Sequence, residues 1–325
     1  HFTTIDAIKD MEYLRDKLDV KQFNIWGGSY GTRIGLLYMR LHPDKIRTSI
    51  LDGVAAPTGQ LFANAARDAG RAISLLFDEC EASQDCNEQF PSLRAGLDQF
   101  LARLDENTIR VDFFDPYETK YKTFDLTRNS FVEIIRSTLY SAGRTVVIPF
   151  VLNEVFKGNY KPLMALSLDA QAQSGDSISM GMMLAVLCAE EIPRTNKKHL
   201  ENMAFGSFHK DSFFKFFENA CQGWPIKNVL KGYDTEISVD IPTIIFSGDL
   251  DPVTSPLSAM ETDEMLPNSV HYIVSGTGHN AGNQACGPTL MRDFIETASI
   301  KGLDGSCFNT PIRGAFILTT TGSKP

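Results

Sequence analysis

Several features that mark other classes of protein are missing from this sequence of 325 residues. The net charge is −9 and no block of like charges interrupts the chain, which argues against binding to nucleic acid or to an anionic membrane surface. No apolar run approaches the ~20 residues that a membrane-spanning helix needs. No C-x-x-C and no paired histidines occur, so the spacings do not suit zinc, and no organic cofactor is suggested. No secretory signal opens the sequence, and we expect any such segment to have been removed or to lie upstream.

Six cysteines are present, and their positions carry information. They fall into three groups by spacing: Cys80 and Cys86, then Cys188 and Cys221 around an intermediate loop, then Cys286 and Cys307. An even count with local spacing suits three disulfides in an oxidising compartment. The alternative is six buried free thiols in a cytosolic enzyme.

The strongest functional signal lies in the stretch from Gln22 to Thr32, QFNIWGGSYGT. An apolar run ends there in G-x-S-x-G, and the helix-like stretch Thr32–Leu41 follows, which is the strand–nucleophile–helix arrangement of an α/β-hydrolase. A serine on so sharp a turn sits in strained backbone, and Gly27 and Gly31 have no Cβ, so they allow the close contact of its neighbours. The turn is expected to lift the Ser29 hydroxyl clear of the sheet and to aim the first N–H groups of the helix at the reacting carbonyl oxygen.

The first part of the chain alternates between helix and strand signals. Thr4 to Leu18 has apolar residues at helical spacing, and Val20 to Trp26 is predicted to be the strand that carries the nucleophile. A second predicted strand, Ile46 to Leu51, follows the next helix. Such alternation predicts a parallel sheet.

The pattern becomes mainly helical between about Leu61 and Gly232. The predicted helices are Leu61–Cys80, Leu93–Leu104, Ser130–Tyr140, Thr145–Phe156, Pro162–Ala172 and Ser177–Ala189. Thr108 to Phe124 alternates in polarity around a turn and is predicted to be a hairpin. We therefore divide the chain into a first core part, 1–56, a mainly helical lid, 57–235, and a second core part, 236–325.

Strand signals return near the C-terminus and bring further candidate residues. Ile241–Gly248 and Val270–Val274 are predicted strands, followed by aspartates and by His279 respectively. In open α/β sheets the chemistry gathers beyond the carboxyl ends of the strands. The order Ser29, aspartate, His279 is that of an α/β-hydrolase. His279 is expected to take the serine proton, and the aspartate to fix its tautomer and stabilise the imidazolium.

Two aspartates compete for the third position. Asp249 and Asp251 both follow the strand, and we favour Asp251 because Pro252 follows it and the loop there should turn towards His279. Asp249 is then expected to cap a loop. The remaining histidines lack such a setting and are interpreted as structural: His1, His42, His199, His209 and His271.

Four segments together resemble the proline iminopeptidase and tripeptidyl aminopeptidase family of α/β-hydrolases: Ile25–Thr32, Leu51–Gly53, Ser247–Thr254 and Gly278-His279. The resemblance covers residues 1–56 and about 236–325 well, and the helical insertion only in layout. It implies Ser29, Asp251 and His279 as the catalytic triad, with no metal. It also implies a secreted or periplasmic setting, and the bridges Cys286–Cys307 and Cys188–Cys221.

Members of that family cleave short peptides from a free N-terminus, whose ammonium they bind with acidic side chains of the lid. Glu190 is the residue that the resemblance makes the candidate anchor, with Glu191 second, because a carboxylate binds an ammonium by a charge-assisted hydrogen bond. The alternative is two solvated surface glutamates. The Tyr30 N–H is expected to supply half of the oxyanion hole.

One departure from the family concerns the start of the chain. The family carries an H-G-G-P-G-like loop well upstream of the nucleophile, whereas only 28 residues precede Ser29 here and none resembles it. The first strands of the sheet are also absent, which would leave the nucleophile strand as a bare edge. We therefore expect the C-terminal part of a longer protein, with the N-terminal part possible as a separate chain.

The sequence thus predicts an α/β-hydrolase parallel sheet, partial at its first strands, with a helical lid. The predicted function is that of a serine aminopeptidase acting on short peptides with a free N-terminus. Two alternatives stay open: a carboxylic ester hydrolase of the same fold, and a non-catalytic fragment that needs a partner chain.

Overall fold

The structure, a computed structural model, describes residues 2–174, 178–225 and 232–323. The strands are β1 Phe23–Gly28, β2 Ile46–Asp52, β3 Ile109–Asp115, β4 Lys120–Leu126, β5 Thr243–Gly248 and β6 Ser269–Val274. The helices before β5 are α1 Thr4–Lys17, α2 Tyr30–Leu41, α3 Leu61–Ala82, α4 Gln84–Gln89, α5 Leu93–Glu106, α6 Arg128–Leu139, α7 Ala142–Thr145, α8 Ile148–Phe156, α9 Lys161–Ser174, α10 Met180–Glu190, α11 Lys197–Ala204 and α12 Ser212–Ala220. Two helices follow β5, α13 Pro256–Met265 and α14 Gly287–Thr297.

Four strands form a parallel sheet in the order β1-β2-β5-β6. Every residue of β5 is buried, as expected for a strand with neighbours on both sides and helices on both faces. The register pairs Gly28 with Asp52 and Gly248 with Val274 at the carboxyl ends. Because parallel strands end at one edge, the turns that follow β1, β2, β5 and β6 meet there. The predicted parallel α/β sheet is confirmed.

Each face of the sheet is covered by an apolar layer. On one face Ile8 of α1 and Leu36 of α2 pack with Ile245 of β5. On the other face Phe294 of α14 packs with Phe246 of β5. Together these layers bury both faces of the central strands and fix the sheet edge where the turns meet.

β1 differs from the central strands in its exposure. It pairs with β2 on one side, and no other strand pairs with it within residues 2–174, 178–225 and 232–323. Its residues alternate between buried or half-buried and exposed, and the Trp26 side chain is 55% exposed. One side of β1 therefore presents unpaired backbone groups next to a large aromatic side chain.

The chain divides into two compact units that differ from the predicted domains. One unit comprises residues 1–70 and 180–312, and the other residues 71–179 and 313–325. The predicted lid, 57–235, therefore has different boundaries from either unit. The segment with α10 to α12 belongs to the sheet-containing unit because Glu191 pairs with Arg33 of α2 and Arg194 donates a hydrogen bond to the Pro57 carbonyl, 2.8 Å.

The second unit contains the C-terminal part of α3, the helices α4 to α9 and the predicted hairpin. β3 and β4 pair antiparallel with Asp115 opposite Lys120, and the Asp115 carboxylate accepts the N–H groups of Tyr117 and Glu118 at 2.9 and 3.1 Å. Segment 313–323 joins this unit, where the Ile317 N–H donates to the Val146 carbonyl at 3.0 Å. That last assignment differs from the prediction, which placed the segment in the second core part.

All three predicted disulfides form: Cys80–Cys86, Cys188–Cys221 and Cys286–Cys307. The alternative of six free thiols is wrong. Such bridges persist in oxidising compartments and are rare in the cytosol of mesophiles. Among the described residues, none of the helices combines the length and the apolar character that crossing a bilayer requires.

Candidate active site

Ser29 occupies a strained turn between β1 and α2. Its φ of 53° and ψ of −119° place a residue with a side chain in backbone that only glycine adopts readily. The Ser29 N–H donates to the Asp52 carbonyl at 2.8 Å, and the Ser29 carbonyl accepts from the Thr32 hydroxyl at 2.6 Å. The serine therefore stands at the N-terminus of α2, held by the end of β2.

The two glycines of the motif have unequal roles. A Cβ on Gly27 would lie 2.3 Å from the Gly31 carbonyl oxygen, whereas a Cβ on Gly31 would meet nothing within 4 Å. The tight turn therefore requires glycine at position 27. The prediction that Gly31 must also lack a side chain is wrong, because its own Cβ direction faces open space.

A buried aspartate binds His279. The Asp251 side chain is fully buried, and its Oδ2 lies 2.8 Å from His279 Nδ1. Burial raises the pKa of Asp251, but the charge of His279 and the hydrogen bonds from His279 and Thr254 outweigh it and lower the pKa to about 2. A carboxylate on Nδ1 fixes the tautomer in which Nε2 can accept a proton.

Asp249 has a different role. Its two carboxylate oxygens accept the N–H groups of Gly276 and Thr277 at 2.9 and 3.1 Å. It caps the loop that leads from β6 to His279, as expected for the aspartate that does not bind the histidine. The structure thus brings Asp251, and not Asp249, into contact with the imidazole.

Thr254 is a site residue that the sequence reasoning missed. Its hydroxyl donates to Asp251 Oδ2 at 2.7 Å and lies 3.0 Å from His279 Nδ1, while its N–H donates to Asp251 Oδ1 at 2.9 Å. The signal was present, since an aspartate commonly accepts a hydrogen bond from the backbone two residues on. Here that donor is the Val253 N–H, at 2.9 Å, and the turn brings the next residue, Thr254, to the same carboxylate. Thr254 completes the polar shell of the buried carboxylate.

Replacing Thr254 by valine is expected to lower kcat about 10-fold. The change keeps the shape but removes one hydrogen bond to Asp251, and a hydrogen bond to a charged group is worth about 1.5–3 kcal/mol. Steady-state kinetics on the best substrate measures this. Thr262→Val is the matched control, because Thr262 is also buried but donates only to the Ser258 carbonyl within α13, 3.1 Å. Equal kcat for Thr254→Val and wild type would contradict the assignment.

Asn280 lies directly after His279 and was also missed. It adopts a φ of 60°, which Asn tolerates better than most residues. A Cβ on Gly28 would lie 3.0 Å from the Asn280 Oδ1 atom. The loop that carries His279 therefore passes directly over the residue before Ser29.

The Tyr30 N–H is the first of helix α2. Among the described residues it donates no hydrogen bond, and the helix N-terminus favours a developing negative charge. The Tyr30 side chain turns away into a buried cluster, where its hydroxyl lies 2.9 Å from Thr4 Oγ1. The backbone N–H is therefore free for an oxyanion while the side chain anchors the turn.

Glu190 is wholly buried in that same cluster. Its carboxylate accepts the Thr4 N–H at 2.6 Å, the Thr4 hydroxyl at 2.6 Å and the Tyr233 hydroxyl. A carboxylate is favourable there because Thr4 begins helix α1. The prediction that Glu190 anchors a substrate ammonium is not supported, because its oxygens bind protein donors and none is exposed.

Glu191 is 2% exposed and pairs with Arg33 and, at 2.9 Å, with Arg194. Its expected role as a second anchor for the substrate ammonium is not supported either, because its carboxylate is buried and paired with protein groups. The alternative of two solvated surface glutamates is wrong as well. Glu190 instead binds the start of α1 and Glu191 pairs with Arg33 of α2, so that both carboxylates connect the end of α10 to the helices before and after β1.

The other histidines are placed apart from this site. His42 packs edge-on against Tyr38, His209 packs edge-on against Phe213, and His271 bonds to the Ser247 hydroxyl. Burial lowers the pKa of His271. His199 lies on the surface helix α11, and His1 lies outside the described residues.

A small cavity of about 20 Å³ lies beside Thr254. Its walls come from Arg33, Val54, Ala55, Ala56, Gly59, Leu61, Asn64, Val253, Thr254, Ser258 and Glu261. A volume of this size holds about one water molecule.

Comparison with known families agrees with this geometry. The family described as alpha/beta hydrolase fold matches residues 1–140, and the family described as TAP-like protein matches residues 209–307. The chain has the α/β-hydrolase fold. The two matches together contain Ser29, Asp251 and His279, and in the second compact unit they leave residues 141–179 and 313–325 unmatched.

The curated proteins that this chain resembles include peptidases. Serine protease Hip1 of Mycobacterium tuberculosis H37Rv is 23% identical over 336 aligned positions, which cover 97% of this chain and 61% of Hip1. Proline iminopeptidase of Arabidopsis thaliana is 38% identical over 52 residues, 16% of this chain and 14% of that protein. Tripeptidyl aminopeptidase of Streptomyces lividans is 38% identical over 58 residues, 18% of this chain and 11% of that protein. The chain therefore spans about three-fifths of Hip1, and the predicted resemblance is confirmed.

Proposed function

We propose that this α/β-hydrolase is a serine peptidase that releases residues from the N-terminus of short peptides. The observation that carries the proposal is the buried Asp251 on His279 Nδ1, at the same sheet edge as Ser29 on its strained turn. Three groups of these types in this chain order are the working parts of acyl transfer.

The roles follow from the chemistry of each group. Ser29 Oγ attacks the scissile carbonyl carbon and gives its proton to His279 Nε2, while Asp251 stabilises the imidazolium. The Tyr30 N–H donates to the oxyanion. His279 then passes the proton to the leaving amine, and water hydrolyses the acyl enzyme with the same histidine as base.

The choice of peptide over other acyl substrates rests on the relatives. Hip1 is named a serine protease, and the two shorter matches are named for release of residues from a peptide N-terminus. We therefore propose short peptides with a free N-terminus as substrates. Glu190 and Glu191 have no part in this proposal, because their oxygens bind protein groups. An ester hydrolase of the same fold is the second candidate.

Labelling with a fluorophosphonate and a matched substrate panel tests the proposal. We expect mass spectrometry to find the label on Ser29. A peptide anilide with a free N-terminus should turn over faster than the same anilide with an acetylated N-terminus. Its rate acceleration over spontaneous hydrolysis should also exceed that of a p-nitrophenyl ester. Turnover of esters alone would favour the esterase. A folded protein that fails to label would favour the non-catalytic alternative.

We also propose that a further polypeptide segment pairs with the open side of β1, either in a longer chain or as a separate one. The exposed Trp26 and the unpaired edge support this, since natural sheets cover such edges. Intact mass measurement of active material tests it. A longer species or a second polypeptide is expected, and full activity from a lone 325-residue species would contradict it.

We propose a secreted or periplasmic location, which the three disulfides support. Thiol-specific labelling of the protein taken directly from its native source tests it. All six cysteines should resist labelling until a reductant is added. Free thiols in freshly isolated protein would contradict the location.

A further inference from the structure

Asp52 lies at the end of β2, between the two halves of the candidate site. Its side chain is 1% exposed, and it is not one of the three triad residues. Its backbone carbonyl accepts the Ser29 N–H at 2.8 Å. Its carboxylate accepts the N–H groups of Ala281 and Gly282, at 2.8 and 2.9 Å, one on each oxygen. One residue thus holds the nucleophile turn through its main chain and the loop after His279 through its side chain.

The surrounding glycines fit this double attachment. A Cβ on Gly282 would lie 2.9 Å from Asp52 Oδ2, and a Cβ on Gly53 would lie 3.2 Å from His279 Cε1. Gly53 also has a φ of 69°, which glycine adopts without strain. The absence of side chains at these two positions lets the His279 loop pack directly on residues 52 and 53.

We propose that Asp52 is a positioning residue that holds His279 in register with Ser29. This inference rests on the proposed serine hydrolase function. Ala281 and Gly282 follow His279 by two and three residues, so loss of their bonds would let the imidazole shift relative to the serine hydroxyl. A displacement of about 1 Å in an active site can cost about 100-fold in rate.

The charge of Asp52 gives the role a pH dependence. The ionisable groups that act on it are His279 and Asp251. Burial raises the pKa of Asp52 to about 6, with Asp251 adding to the rise and the two N–H groups and His279 opposing it. Protonation turns one carboxylate oxygen into an O–H donor and makes it a much weaker acceptor for an N–H. The Asp52 hydrogen bonds that hold the His279 loop in place are therefore weakened as pH falls through about 6.

Asp52→Asn is the direct test. Asparagine keeps the size but offers an NH₂ where one N–H donor needs an acceptor. We expect kcat to fall about 10- to 100-fold with KM changed by less than about 2-fold. In the wild type, both Asp52 and the histidine base must lose a proton, so log kcat/KM should rise with a slope approaching two on the acid side. In Asp52→Asn the slope should approach one.

Asp115→Asn is the matched control, because Asp115 is also buried and also accepts two backbone N–H groups, but in the β3–β4 hairpin. It should keep wild-type kcat and the slope of two. Gly282→Ala leaves the Asp52 charge intact but would bring a Cβ within 2.9 Å of both Asp52 Oδ2 and Phe246 Cδ2, and we expect a similar loss in kcat. This second variant decides the question if Asp52→Asn does not fold.

The outcomes separate this inference from the proposed function. Wild-type kcat and an acid slope of two in folded Asp52→Asn, or wild-type kcat in Gly282→Ala, would overturn the positioning role while leaving the hydrolase function in place. Wild-type protein that is folded but does not label at Ser29 with a fluorophosphonate would overturn both.

Discussion

Replacement of Ser29 by alanine is expected to abolish turnover and to leave the fold intact. Removing the nucleophile of a serine hydrolase costs about 10⁶ in kcat. Alanine keeps a Cβ in the same left-handed backbone, so the strain of the turn is neither added nor relieved. The hydrogen bonds that hold the turn come from main-chain groups of Ser29 and therefore persist.

Progress curves at high enzyme concentration measure the residual rate of Ser29→Ala, and thermal unfolding monitors the fold. Ser49→Ala is the matched control, because the Ser49 hydroxyl is buried in β2 with no hydrogen-bond partner among the described residues. It should keep wild-type activity. Ser29→Ala with more than about 1% of wild-type activity would refute the nucleophile assignment, given the size of the expected loss.

Asp251→Asn is expected to lower kcat by about 10⁴. The carboxamide can present its NH₂ to His279 Nδ1 and so favour the wrong tautomer, in which Nε2 carries the proton and cannot act as base. The buried position leaves no room for solvent to replace the lost charge. Measurement of kcat over a range of pH tests this.

Asp249→Asn provides the control for Asp251→Asn. Asp249 is two residues away and binds two loop N–H groups. Its replacement should lower kcat by about 10-fold or less, because His279 keeps the Asp251 carboxylate. A larger loss from Asp249→Asn than from Asp251→Asn would contradict the assignment of Asp251 to the triad.

Asp251 should also contribute to stability in a pH-dependent way. Its pKa is lowered to about 2 in the folded protein, so the folded state favours the carboxylate. The contribution is present above the unfolded pKa of about 4 and is lost as pH falls through about 2, and it amounts to roughly 2 kcal/mol. Urea unfolding between pH 5 and pH 2 should show a smaller acid-dependent loss in Asp251→Asn than in wild type. Equal losses would contradict it.

The sequence predicted those parts of the site that depend on residues close together in the chain. The sharp turn at Ser29 follows from a strand, two glycines and a helix in immediate succession. Asp251 and His279 could be found because parallel strands deliver the residues after them to one sheet edge. That three disulfides form was expected from an even count of cysteines at short spacings, and the pairings Cys188–Cys221 and Cys286–Cys307 were implied by the family resemblance.

The parts that failed depend on contacts between distant segments. Glu190 meets Thr4 across 186 positions, and no periodicity near either residue indicates that contact. The pairing of Glu191 with Arg33, which joins α10 to the sheet-containing unit, was not foreseen for the same reason. Asp52 and Thr254 were missed because their roles depend on which backbone N–H groups face them, and the sequence does not record directions.

The burial of Glu190 and Glu191 bears on the order in which the chain can assemble. The second helix ends about 150 residues before Glu190 and Glu191, so at roughly 5–20 residues per second these carboxylates are made about 7–30 s after the first two helices. During that time the Arg33 guanidinium and the Thr4 N–H lack the carboxylates of Glu191 and Glu190 that bind them in the folded protein. We therefore expect the nucleophile turn to stay unformed on the nascent chain until residues 190 and 191 have been made, so that the serine on which the proposed peptidase function depends becomes reactive late in synthesis.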